Sequence, residues 1–104
     1  MAGPAIVHDA ARRHILDGDA RGGGHRFGTG APGKSEFPAD WSDEKIIAAI
    51  EAVANDASSR KYRRSRDSRV IVEGVRDGIV LRVVIEADGI QIITAHPIDV
   101  PRNQ

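Results

Sequence analysis

The sequence predicts an α+β fold in which amino-terminal helices pack on an antiparallel β-sheet, and three observations carry that expectation. Residues 42–56 repeat apolar side chains at helical spacing. Residues 69–96 contain three runs rich in β-branched residues, separated by short turn signals. Between them and the front of the chain lies a stretch too rich in glycine for either regular structure.

The first element is expected over residues 4–16, "PAIVHDAARRHIL", where Pro4 suits a first helical turn and Val7, Ala11, His14 and Ile15 fall on one face. Glycines at 18, 22, 23, 24, 28, 30 and 33 then require a loop, and a long irregular loop in a small domain is usually functional or disordered. Ser42 is a helix cap for "DEKIIAAIEAVAN". Asp43 and Glu44 favour its positive end, and Ile46, Ile47, Ile50, Val53 and Ala54 form a stripe toward the core. The runs "RVIVEGV", "IVLRVVIEA" and "IQIITAH" read as a three-stranded antiparallel meander turned at "RDG" and "DG". Alternation along the last strand puts Thr94 and His96 on one face, where the glycine-rich loop can bring His14 and His25 to meet them.

Composition restricts function. With 104 residues the chain has material for one core, read as one domain over 1–104. At 40% hydrophobic and 29% charged residues it has the balance of a globular protein rather than a disordered one. No apolar run approaches the ~20 residues of a membrane-spanning helix. The first residues lack the apolar centre of a secretory signal, which leaves a cytosolic chain or a piece of a longer exported protein. The absence of cysteine excludes disulfides, thiolate metal sites and a cysteine nucleophile.

Fifteen basic residues balance fifteen acidic ones, so distribution matters more than net charge. Arg60, Lys61, Arg63 and Arg64 surround Tyr62 in "RKYRRSRDSR", a combination suited to phosphate contacts and base stacking; a solvated basic loop is the plain alternative. His14 on an apolar helix face more often packs than reacts. His25 follows three glycines that let backbone approach a ligand, which makes acid–base chemistry competitive. Lys34 is a surface charge or the cation that neutralises a phosphate. "GTGAPGKS" ends like a nucleotide-binding P-loop, but Pro38 intervenes before any helix begins. Asp17 and Asp19 offer oxygen ligands for a metal, although no histidine pair stands at ligand spacing and a helix-ending turn explains them equally well.

Taken in order, "HILDGDARGGGH", "PGKSEFPADWSDEKI" and "GIQIITAHP" resemble bacterial EndoU-type ribonuclease domains, the carboxy-terminal modules of polymorphic and contact-dependent inhibition toxins. The resemblance covers residues 12–98 and implies the EndoU or barnase-like toxin nuclease architecture. It implies His14 and His25 as the catalytic histidines, Thr94 as the last-strand hydroxyl and Lys34 as the lysine. His96 stands where the family has an aromatic, usually tyrosine. The implied activity is metal-independent endonucleolytic cleavage of RNA, possibly of tRNA, without a cofactor, leaving 2′,3′-cyclic phosphate and 5′-OH ends. A neutralising immunity protein, and delivery within a larger toxin that acts in the target-cell cytoplasm, are implied with it. The competing class is a non-catalytic RNA- or protein-binding module that uses residues 60–69.

Overall fold

The computed structural model describes residues 3–104, and its order is two helices followed by four strands. Helix α1 spans Asp9–Leu16 and α2 spans Asp43–Asn55; strands β1 to β4 are Arg60–Arg63, Val70–Arg76, Ile79–Ile85 and Ile92–Pro97. The strands form one antiparallel sheet in the order β1-β2-β3-β4. The α+β arrangement is therefore the predicted one.

Two local expectations are corrected. Residues 4–8 are not helical. The Ala5 N–H donates to the Asn55 side chain at 2.7 Å, the Asn55 amide returns a bond to the Ala5 carbonyl at 3.0 Å, and the Val7 N–H donates to Glu51 at 2.8 Å. Ile6 pairs beside Gln91 as an extended bridge. Side chains of α2 thus satisfy this backbone in an extended form, which removes the incentive to coil. The basic run is likewise not a loop: Arg60–Arg63 pairs with Glu73–Val70 and makes the sheet four-stranded. Its charges suit an edge, where they discourage pairing with another chain.

The other elements follow their local chemistry. Ser42 Oγ accepts from the Lys45 N–H at 3.1 Å, closing the cap of α2, an interaction commonly worth ~1 kcal/mol. Asp77 and Gly78 both adopt positive φ, 49° and 78°, the combination that a two-residue hairpin between β2 and β3 requires. A bulge between Val84 and Ile85 shifts the register against β4.

One face of the sheet, carrying Val70, Val72, Leu81, Val83 and Ala95, belongs to the hydrophobic core with Ile46, Ile50 and Val53 of α2 and Ile15 and Leu16 of α1. Phe37 and Trp41, from the segment before α2, stack within it at 5.9 Å. The opposite face holds Thr94 and His96. Among the described residues no helix is long and apolar enough to cross a membrane.

Ile50 is fully buried between α2 and the sheet. Ile50→Ala is expected to cost about 2–5 kcal/mol in chemical denaturation, the usual price of a buried aliphatic truncation, while Ala48→Ser on the exposed side of α2 stays within about 0.5 kcal/mol.

Candidate active site

The last turn of α1 leaves carbonyls without helical partners, and the glycine-rich loop supplies them. The Gly24, His25 and Arg26 N–H groups donate in succession to the His14, Ile15 and Leu16 carbonyls at 3.0, 2.7 and 3.1 Å. Such close docking explains the glycine run. A Cβ on Gly23 would stand 1.9 Å from the His14 carbonyl oxygen, and its φ of +81° is one that other residues rarely adopt. Three further ties fix the loop from outside. Arg26 grips both carboxylate oxygens of Asp43 at 2.9 Å, Glu36 accepts from the Gly28 and Gly30 N–H groups, and Ser35 Oγ donates to the Pro97 carbonyl at 2.6 Å.

His14, His25, Lys34, Thr94 and His96 line one cavity of about 300 Å³. The chain separation of these five is closed by the loop docking on α1 and by β4 lying at the sheet edge beside it. Each histidine of the pair has its Nδ1 engaged. His14 donates to the Asp19 carboxylate at 3.0 Å, and His25 donates to the Ser35 carbonyl at 2.6 Å, since neither oxygen can donate in return. Nε2 is therefore the nitrogen left for chemistry on both rings. Asp19, itself held by the Arg21 N–H, faces any positive charge on His14. That contact makes Asp19 a residue that orients the His14 ring as well as a turn residue.

The environments differ. His25 is buried, and desolvation pushes its pKa below the ordinary histidine value; the bond to Ser35 opposes the shift, and the charge of Lys34 adds to it. His96 stacks on His25 with ring centroids 5.3 Å apart and is lowered to about 4, first by burial and then by His25, Arg82, Arg102 and Lys34. The imidazole at 96 thus stands as a neutral ring in face contact with its neighbour, as an aromatic would. Lys34 reaches toward Gly22, where an added Cβ would lie 3.2 Å from its ammonium.

Arg21, Ser35 and Arg102 also line the cavity and were not singled out by the sequence. Ser35 pairs with Arg102 as an isolated bridge, so the cavity is completed by a segment far along the chain, a relation that no local spacing encodes. The expected nucleic-acid contacts are divided. Arg60, Lys61, Tyr62, Arg63 and Arg64 lie at the β1 edge, three strands from β4, and none of them lines the cavity. Arg64 is paired with Asp67, and Arg63 donates to the Ser68 carbonyl at 2.6 Å, so both are occupied locally.

Two histidines anchored through Nδ1 beside a lysine and two arginines make a site for acid–base chemistry on an anionic ester. Residues 27–99 match the model of the bacterial EndoU nuclease family, and the chain belongs to that family. The match begins two residues after His25, so the placement of both histidines in the site rests on the geometry above. No curated protein and no solved structure matches the chain.

The depressed pKa of His96 and His25 has a consequence for stability. An unfolded histidine takes up its proton near pH 6.5, before the folded ring does, so stability present at pH 7 is lost as pH falls through 6.5 toward 4. Urea denaturation at pH 7 and pH 5 should show this loss, and His96→Gln should shrink the difference between the two pH values.

Proposed function

We propose that the chain is an endoribonuclease toxin domain that cleaves RNA by attack of the substrate's own 2′-OH, without a metal. The observation that carries the reading is the pair of Nδ1-anchored histidines in one cationic cleft. RNA supplies its nucleophile, so the protein needs to remove a proton from the 2′-OH, stabilise charge on the phosphate and protonate the departing 5′ oxygen.

Roles follow from environment. His25, whose buried ring favours the neutral form, is the base that accepts the 2′-OH proton at Nε2. His14, backed by the Asp19 carboxylate, is the acid that delivers a proton to the 5′ oxygen. The O2′–P bond forms as the P–O5′ bond breaks, giving a 2′,3′-cyclic phosphate and a 5′-OH end. Lys34, with Arg21 and Arg102 at the rim, stabilises the non-bridging oxygens, and Thr94 hydrogen-bonds the phosphate or the base. His96 supports His25 through ring stacking.

Within the same reading, the RNA is a tRNA in the target-cell cytoplasm, the domain arrives there as part of a larger toxin, and an immunity protein that covers the cleft protects the producing cell. These points extend the match to a bacterial nuclease family by the resemblance carried by the three sequence motifs.

A substrate with one 2′-deoxy nucleotide at the cleavage position should bind but stay uncut, and DNA should be inert. Efficient cutting of that substrate, or 3′-OH products from ordinary RNA, excludes the proposed chemistry. His14→Ala and His25→Ala should each lower the rate by roughly 10²–10⁴-fold. EDTA should leave the rate unchanged. The rate should rise and fall with pH, with its acid limb below the ordinary histidine value because His25 must be neutral. Intact RNA together with retained binding would favour the binding module instead.

A further inference from the structure

The register of the sheet sorts side chains that the sequence presents as one basic run. Residues directly opposed on antiparallel strands share a face. Arg60 opposes Glu73, Glu73 opposes Arg82, and Arg82 opposes His96. Two residues along, Tyr62 opposes Ile71, Ile71 opposes Val84, and Val84 opposes Thr94. Two cross-strand rows therefore run from the β1 edge to the cleft, on the face opposite the one that packs on α2. One is charged and the other is apolar with an aromatic end. Lys61 and Arg63 alternate to the other face.

The rows are organised for an extended anionic chain. Glu73 holds Arg82 at 2.8 Å and Arg60 at 3.5 Å, which fixes both guanidinium groups; Arg82 does so through Nε, and its two terminal nitrogens have no protein partner among the described residues. Arg60 also lies over the Tyr62 ring, 5.1 Å from its centroid, and Tyr62 remains 39% exposed. Ile71 and Val84 are buried outside the main core and give the row a firm apolar base. Three strand spacings place Arg60 roughly 14 Å from His96, a span of a few nucleotides of extended RNA.

We propose that the exposed side chains of this face, Arg82, Arg60 and Tyr62, are the track on which RNA flanking the scissile phosphate lies, with Arg82 and Arg60 meeting successive phosphates and Tyr62 stacking a base. The proposal rests on the nuclease reading above, and it assigns the nucleotides beside the cut a contact surface outside the cavity. The neighbour Lys61 carries the same charge but faces away, so it separates geometry from net charge.

Binding of a fully 2′-O-methylated RNA octamer, which lacks the nucleophile, is measured by fluorescence anisotropy beside that of the corresponding dinucleotide. Arg60→Ala and Tyr62→Ala are each expected to weaken octamer binding by about fivefold or more, and Lys61→Ala by less than twofold. Dinucleotide binding should be the same in all three variants. Equal losses for Arg60→Ala and Lys61→Ala would overturn the track, as would equal losses for octamer and dinucleotide, or no loss at all. A chain that cuts RNA without this alternation overturns the track alone; one that shows the alternation yet never cuts RNA overturns the nuclease reading.

Discussion

The docking of residues 24–26 on the last turn of α1 is the constraint on which the site depends. A helix end exposes carbonyls that must find donors, and here three consecutive loop N–H groups provide them. One set of bonds therefore terminates the helix, holds a segment with little side-chain packing of its own, and sets His25 beside His14. Remove the glycines and the approach fails at the His14 carbonyl before any catalytic group is touched. Helix capping and the geometry of the cavity are one structural fact in this protein.

Surroundings then divide three like residues. His25 and His96 lie under the loop in a cluster with Lys34 and Arg102, where an added proton is unwelcome. His14 instead meets a carboxylate. The rings therefore differ in the charge of their neighbours. Asp19 belongs to the site for that reason, although it lies on the loop's outer side and is well exposed.

Much of the fold was readable because its signals are local. The cap at Ser42, the apolar stripe of α2 and the hairpin glycines each act within a few residues, and each appears where the sequence placed it. The misses are non-local. Residues 4–8 have a helix-compatible pattern, but Glu51 and Asn55 of α2 satisfy their backbone in an extended form. Arg60–Arg63 has little apolar content to mark a strand, and its pairing with β2 decides the matter. In the site, His14, His25 and Thr94 carried signals of type and spacing, and the structure brings them to one cavity. Arg21, Ser35 and Arg102 carried none, since their relevance comes from contacts between distant parts of the chain.

The bridge between Ser35 and Arg102 has a kinetic meaning as well. Asn103 donates to the Ala31 carbonyl and to Glu36 across separations of 72 and 67 residues, so the wall of the cleft that contains Lys34 is held by contacts that close very large loops. Contacts of such separation carry the larger loop-closure cost, which slows folding relative to local contacts. The helix and hairpins can assemble while the cleft is still open on that side. The cleft as a whole is therefore closed only when residues 102 and 103 have joined the segment 31–36.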